Sequence, residues 1–418
     1  MKIHVITIGD EILNGYTMNT NAAYIGSEFA KNELKVSRTS VVGDNEPDII
    51  NELRECLHRN DVVIATGGLG PTHDDITKDC VVRLFNTELV LNNDVLNNIK
   101  SIFSRKGREM SSSNEGQAYV PKNARVINNS LGTAPGLWIE REKKILIALP
   151  GVPHEMKEMI QSYVIPELGN RFKDNSRVTK VKSLSTTGIT ESVLYEKLGD
   201  IKELMQGAKL AFLPDQYGVQ MRIVVEEESS ERASNKISEI EQRIRSLVGR
   251  YIFGIEGVTL EEVISRLLKE RGLSIAVAES CTGGKICDRL TNISGSSAYF
   301  ERGVVSYSNG AKVELLKVNE DMIAAHGAVS LEVVRQMAEG VKAIAGTDLG
   351  LAVTGILGPT GAVPGKPVGL VYIGICDDKL CTAKKFQFSD SRMINKEKAS
   401  QAALDFLRRH LLGIPYDE

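Results

Sequence analysis

The chain has 418 residues, 42% of them hydrophobic and 25% charged, with a formal net charge of -3. That length exceeds what one ordinary core organises, so two or three domains are expected and the element pattern favours three. The charge balance provides no broad basic surface to release counterions from nucleic acid, and no apolar run is long enough for a bilayer span.

The first residues, Met1-Lys2-Ile3-His4-Val5-Ile6-Thr7-Ile8-Gly9, run straight into a β-branched strand and lack the basic, apolar and small-residue order of a signal peptide, so a cytoplasmic location is expected. From residue 2 to 168, β-rich runs at 3–8, 61–66 and 144–149 alternate with helical patterns, as in a parallel sheet covered by helices. Within this stretch, Ser111-Ser112-Ser113-Asn114-Glu115-Gly116 reads as a surface loop. Residues 170–256 then read as a strand (178–184), a helix (190–198), a hairpin (210–213 with 219–226), a helix and a short strand. Ile237, Ile240, Ile244 and Leu247 place one apolar stripe on the last helix, and Glu226-Glu227-Glu228 reads as the hairpin's solvated end.

A third domain starts near Val258, where Thr259 and Glu262 suit a capping box for a helix through Leu268. Strands at 273–279, 349–354, 369–376 and 380–388, a helix over 331–344 and a terminal helix over 391–411 complete a second sandwich. The expected fold is therefore α/β: two α/β sandwich domains, 1–169 and 257–418, joined by a small α+β, KH-like middle domain, 170–256. The middle segment lacks a Gly-x-x-Gly clamp flanked by basic residues, so linking or dimerisation is expected of it rather than RNA binding.

Cys56, Cys80, Cys281, Cys287, Cys376 and Cys381 lack the paired spacing of zinc ribbons and redox motifs, and reduced thiols are expected. Cys376 and Cys381 could face each other across a hairpin, but two buried thiols are the expected state.

Two constellations carry chemistry. The first is a strand at 61–66, the turn Gly67-Gly68-Leu69-Gly70 and the acidic start Asp74-Asp75. Such a turn lets backbone N–H groups approach phosphate oxygens. Adjacent carboxylates repel a phosphate unless a cation lies between them, and hard oxygen donors suit Mg²⁺ or a similar divalent ion. Gly9-Asp10-Glu11 and Gly43-Asp44 sit at other strand ends, where doubly wound sheets bind ligands, so all these groups can share a pocket. Taken singly, a helix cap and a glycine turn account for the same residues without function.

The second constellation is a strand running into Ser280-Cys281-Thr282-Gly283-Gly284, which puts a hydroxyl at a strand-to-helix turn among free backbone donors. That suits a nucleophile beside an oxyanion hole. None of the six histidines lies in a neighbouring signature, and His326 reads as a helix-end residue. Lysine can act as the base where burial or a nearby cation depresses its pKa. Lys312 is the candidate, Tyr307 is placed to hydrogen-bond Ser280 or Lys312 and relay a proton, and Cys281 is the rival nucleophile.

The stretches Gly9-Asp10-Glu11-Ile12-Leu13, Asn19-Thr20-Asn21, Thr66-Gly67-Gly68-Leu69-Gly70-Pro71-Thr72 through Thr77, Gly132-Thr133-Ala134-Pro135-Gly136 and Leu149-Pro150-Gly151-Val152-Pro153-His154-Glu155-Met156 closely resemble the molybdopterin-binding-like domain of the CinA family. Ala278-Glu279-Ser280-Cys281-Thr282-Gly283-Gly284, Tyr307-Ser308-Asn309 with Lys312, and Thr354-Gly355-Ile356-Leu357-Gly358-Pro359 resemble that family's nicotinamide mononucleotide deamidase domain. The resemblance spans nearly the whole chain. It implies a pyridine-nucleotide hydrolase that turns nicotinamide mononucleotide into nicotinic acid mononucleotide and ammonia, with Ser280, Tyr307 and Lys312 catalytic and Cys281, Thr282, Gly283, Gly284, Thr354, Gly355 and Gly358 around the substrate. For the first domain it implies metal-dependent hydrolysis of ADP-ribose to AMP and ribose 5-phosphate, with Asp10, Asp44, Asp74 and Asp75 on a divalent ion and Gly67, Gly68, Gly70, Thr77 and Asn21 on the substrate. A homodimer, small-molecule nucleotide partners and no nucleic-acid or membrane partner go with that reading. Pterin or nucleotide binding without turnover is the alternative for the first domain. Leu357 stands where a small residue is expected.

Overall fold

The computed structural model describes residues 1–32, 34–105, 107, 109–172 and 178–416, apart from the side chains of residues 112 and 113. The chain divides into two compact units, Met1–Lys180 with Glu227–Ser229, and Val181–Glu226 with Ser230–Glu418.

The first unit is built on a six-stranded sheet in the order Val36–Val42, Ile3–Ile8, Val62–Thr66, Lys144–Leu149, Gly136–Arg141 and Ala124–Ile127. The first four strands are parallel and the last two antiparallel. Every side chain of Ile3–Ile8 and Val62–Thr66 is buried, as a parallel strand covered on both faces requires. Ile3, Val5, Ile64 and Ile147 pack on one face with Ile25 and Phe29 of the helix Thr20–Lys31. Ile6, Ile8 and Val63 pack on the other with Ile49 and Leu53 of the helix Glu46–Arg59. The run from Ser111 to Gly116, expected as a loop, holds the short helix Ser112–Gly116 after Ser111, whose hydroxyl caps the Asn114 amide.

The second unit contains two sheets. Lys209–Pro214, Val219–Glu227, Val178–Thr186 and Ile252–Ile255 form a four-stranded one covered by the helix Ser230–Val248. The stripe on that helix runs Ile237, Ile240, Ile244 and Val248, whereas Leu247, expected in it, is 48% exposed. A four-residue step from Ile244 keeps the face inward and a three-residue step turns it out. The other sheet has the order Phe300–Val305, Ile275–Glu279, Leu349–Gly355, Leu370–Cys376 and Cys381–Gln387, the first three parallel and the rest antiparallel. Ile275 and Val277 face the helices Leu260–Arg271 and Arg392–Leu412, and Ala276 and Ala278 face Leu331–Ala345. Thr259 and Glu262 form the capping box of Leu260–Arg271.

The middle module packs directly on the C-terminal sandwich instead of standing apart as a linker. Tyr217 donates to Glu397 Oε2 at 3.2 Å, Gln401 donates to Thr187 Oγ1 at 3.2 Å and Arg408 donates to the Arg250 carbonyl at 2.8 Å. Fully buried Asp405 accepts from Arg408, Arg409 and Tyr416, which keeps these cations satisfied at the junction. Cys376 and Cys381, expected as thiols, are joined as a disulfide across the hairpin, where the two strands set them directly opposite.

Candidate active sites

In the second unit, Ser280 follows the buried strand Ile275–Glu279 and Lys312 lies in the first turn of the helix Asn309–Leu316, whose start is capped by the Ser308 hydroxyl. Lys312 is 1% exposed and Ser280 is 7% exposed. Lys312 Nζ stands 3.1 Å from Ser280 Oγ, 2.8 Å from the Ser306 carbonyl and 3.3 Å from the Tyr307 carbonyl. Among the described residues no carboxylate pairs with it, and burial pushes the amine below the ordinary lysine value. A neutral amine has two N–H donors and one lone pair. In that form the two carbonyls take the donors and the lone pair is left for the Ser280 hydroxyl, whereas in the ammonium form the same three oxygens accept its three protons.

The turn after Ser280 is held by Glu279, a fully buried carboxylate that accepts from the Gly284 amide at 2.9 Å and the Cys287 amide at 2.8 Å. Gly283 and Gly284 have φ of 58° and 95°, which a side chain would strain. The amides of Cys281 and Thr282 have no carbonyl or carboxylate acceptor among the described residues. Their position beside Ser280 suits an oxyanion. Burial pushes the Cys281 thiol up to about 12, so it is a poor nucleophile at neutral pH.

Ser280, Tyr307, Lys312, Thr354, Leu357 and Arg392 are among the residues lining one cavity of about 320 Å³, which also touches Cys281 and Gly355. Tyr307 departs from expectation: it is 64% exposed, and its hydroxyl accepts from Arg392 Nη2 at 3.2 Å, so only its carbonyl meets Lys312. Its ring walls the cavity, and among the described residues no hydrogen bond joins its hydroxyl to Ser280 or Lys312. Thr354 lines the cavity while donating to the Ala328 carbonyl at 2.9 Å. Thr282 is fully buried and Gly358 is buried, its carbonyl accepting from Arg392 Nη1 at 2.7 Å, so both shape the turns beneath the cavity and neither lines it. Leu357 contributes an apolar wall. His326 ends the helix Glu320–His326 and lies outside the cavity lining. Arg392 was not anticipated, because it starts a helix eighty residues beyond Lys312 with no flanking motif.

In the first unit, the turn after Val62–Thr66 is shaped by its neighbours. A Cβ on Gly67 (φ 111°) would lie 2.1 Å from the Ile8 carbonyl, and one on Gly68 would lie 2.2 Å from Thr77 Oγ1. Thr77, expected on the substrate, is fully buried and donates to the Gly67 carbonyl at 2.9 Å, a bond that fixes the turn. Asn21 is also buried, at 7% exposure, with its amide donating to the Gly151 carbonyl at 2.8 Å. The amides of Gly68, Leu69 and Gly70 have no acceptor among the described residues.

The four aspartates do not form one cage. The Asp10 amide donates to Asp44 Oδ2 at 2.9 Å and the Asp44 amide donates to Asp10 Oδ1 at 3.3 Å, an interlocked pair. Burial, together with the nearby Asp10, Glu11 and Asp74 carboxylates, pushes Asp44 above its usual value, against the pull of the Asp10 amide. Asp75 instead bends back onto Thr72, accepting from its amide at 2.9 Å and from its hydroxyl, and lies where a Gly70 Cβ would be. Among the described residues no three of these carboxylates bring donor atoms within 4.8 Å of one another. Two adjacent carboxylates still fit an Mg²⁺-type ion that keeps water and takes its remaining ligands from substrate phosphates.

A model of the CinA C-terminal domain matches residues 258–411, one of a probable molybdopterin binding domain matches residues 4–170, and one of the damage-inducible protein CinA KH domain matches residues 181–254. A putative competence-damage inducible protein of Caldicellulosiruptor saccharolyticus is 42% identical over 415 residues, which cover 99% of this chain and 100% of that protein. A CinA-like protein of Kosmotoga olearia is 41% identical over 414 residues, with 99% and 100% covered. Among solved structures, the CinA protein of Thermoplasma acidophilum shares 37% identity, over 38% of this chain and 94% of that one, at a TM-score of 0.36. With this identity sustained along its full length, the chain belongs to the CinA family of competence- and damage-inducible proteins.

Proposed function

We propose that the second unit hydrolyses the carboxamide of nicotinamide mononucleotide, giving nicotinic acid mononucleotide and ammonia. The observation that carries this reading is the buried Lys312 amine, 3.1 Å from Ser280 Oγ and held by two backbone carbonyls, which in its neutral form leaves its lone pair to Ser280. Lys312 takes the hydroxyl proton as Ser280 Oγ attacks the amide carbon. The Cys281 amide, at the cavity wall, receives the oxyanion, and loss of one such donor typically costs about 2.7 to 4 kcal/mol of barrier. Lys312 then gives the proton to the departing nitrogen, the C–N bond breaks, and water, deprotonated by the same amine, hydrolyses the ester. Arg392, at the cavity mouth, is the cation for the nucleotide phosphate, and Tyr307 walls the pyridine ring. Ammonia release by the pure protein tests this: Ser280→Ala should abolish it and Cys281→Ala should leave it largely intact. The reverse pattern would make the thiol the nucleophile.

For the first unit we propose hydrolysis of the ADP-ribose pyrophosphate, supported by the interlocked Asp10–Asp44 pair and by the amides of the Gly67–Gly70 turn that have no acceptor among the described residues, both at strand ends of one sheet. Asp10 and Asp44 would hold a divalent ion, which supplies phosphate polarisation and a more acidic water. The amides of Gly68, Leu69 and Gly70 bind a phosphate oxygen, and Asp74 orients water from the exposed side. Incubation with ADP-ribose and Mg²⁺ tests it: AMP and ribose 5-phosphate are expected, and saturable binding without product would make this unit a nucleotide-holding module.

A further inference from the structure

The middle module reaches the helix that follows the Ser280 turn. Its hairpin, Lys209–Pro214 with Val219–Glu227, ends in a tip that Asp215 fixes from within. Asp215 Oδ1 accepts from the Tyr217 amide at 2.8 Å and the Gly218 amide at 2.9 Å, and the Asp215 amide donates to the Gly218 carbonyl at 2.9 Å. A side chain bonded to its own backbone in this way sets a turn locally, so the half-buried Tyr217 is held at the tip.

The Tyr217 ring lies against the helix Lys285–Thr291, with the Arg289 guanidinium 5.2 Å from its centroid. Arg289 is buried and already held by Glu261, Ser400 and Gln401, so the ring adds only packing there. The hydroxyl adds something else. It donates to Glu397 Oε2 at 3.2 Å, and the other oxygen of that carboxylate takes Lys285 Nζ at 2.8 Å. Lys285 opens the helix directly after Ser280-Cys281-Thr282-Gly283-Gly284. A cation at that end of a helix is disfavoured by the macrodipole, and Glu397 offsets it.

Two carboxylates therefore grip the start of this helix: Glu279 through the Gly284 and Cys287 amides, and Glu397 through the Lys285 side chain. At the other end of the turn, the Ser280 amide donates to the Val353 carbonyl at 3.0 Å. Only residues 281–284 lie between these anchors, and the Cys281 amide at the cavity wall is among them. The other bonds that join the module to the sandwich, Gln401 with Thr187 and Arg408 with Arg250, touch neither Lys285 nor the turn.

On the reading that Ser280 opens the nicotinamide carboxamide, we propose that Tyr217 and Glu397 are positioning residues for that step. Through the Tyr217 hydroxyl, Glu397 and Lys285, the middle module fixes the far end of the turn and with it the aim of the Cys281 amide at the oxyanion. A donor that meets charge developing in the transition state lowers the barrier only where it is correctly placed. Arg392 makes its contacts at the cavity mouth, so kcat and not KM carries the effect.

Ammonia release and amide hydrogen exchange of the full chain test this together. Tyr217→Phe should lower kcat about 3- to 10-fold and Glu397→Ala about 10- to 100-fold, with KM kept within about twofold. Glu397→Gln, which keeps one acceptor oxygen, should fall between wild type and Glu397→Ala. In the same variants the hydrogen-bonded amides of residues 283–287 should exchange about tenfold faster or more, while those of the strand Leu349–Gly355 keep their wild-type rates. Unchanged exchange across 283–287 in Tyr217→Phe, which removes a single hydroxyl, overturns the proposal, and so does faster exchange with an unchanged kcat. A wild-type chain that releases no ammonia refutes deamidation itself, and the exchange rates then decide whether Tyr217 holds the turn.

Discussion

The two candidate sites differ in how much of their chemistry is already assembled. In the second unit the amine, its two carbonyl partners and the serine hydroxyl are buried and mutually bonded, and burial already lowers the amine's pKa without any ligand. In the first unit the carboxylates are partly solvated, one pair is interlocked, and Asp75 is turned onto Thr72. A buried base can be prepared by desolvation without a ligand, whereas like charges at a surface turn stay apart until a cation and phosphate draw them in.

The largest expected effect is on the prepared site. Ser280→Ala should lower the deamidation rate by about 10⁴-fold or more, measured as ammonia release, and a drop below tenfold would remove serine from the chemistry. Lys312→Arg, permanently charged, should cost about 10²- to 10⁴-fold. With the native lysine, kcat/KM should rise with pH as the amine loses its proton, because only the neutral form accepts from Ser280. Burial lowers the Lys312 pKa, so the plateau should come below the ordinary lysine value of about 10.4. A plateau at that ordinary value would mean that burial does not prepare the base.

For the open site, Asp44→Asn should reduce AMP release from ADP-ribose by at least about 10²-fold, and more than Asp75→Asn does. Equal losses would mean that Asp75 leaves Thr72 and joins the ion when substrate binds. Arg392→Ala should raise KM for nicotinamide mononucleotide about tenfold, with little change in kcat, as loss of one charge-assisted phosphate contact predicts. A fall in kcat with unchanged KM would assign Arg392 to the transition state. The smallest effect concerns packing alone: Val248→Ala should destabilise the middle module by about 2 kcal/mol in denaturant melts, and Leu247→Ala by no more than about 0.5 kcal/mol.

Ser280 and Lys312 were legible in the sequence because each sits in a continuous stretch whose local structure places it: a strand end for one, a capped helix start for the other. The apolar periods of the parallel strands and of Ser230–Val248 were legible for the same reason. What the sequence hid depends on contacts between distant segments. Arg392 meets Tyr307 and Gly358 from a distant segment, and that contact holds the Tyr307 hydroxyl on a guanidinium that no local motif announces. Thr77 lies in a motif that reads as ligand-facing, yet one hydrogen bond to the Gly67 carbonyl turns it inward. The packing of the middle module likewise rests on pairs such as Gln401 with Thr187, more than two hundred residues apart. The expectation for Leu247 failed by a single residue, because three- and four-residue steps both satisfy a helical period until the core chooses between them.

The helix Arg392–Leu412 touches the cavity mouth at its first residue and grips the middle module through Gln401 and Arg408. It thus joins the cavity mouth at one end to the middle module along its length. Any displacement of that module would be passed along the helix to the Arg392 guanidinium, so the cavity mouth is mechanically tied to a surface outside it.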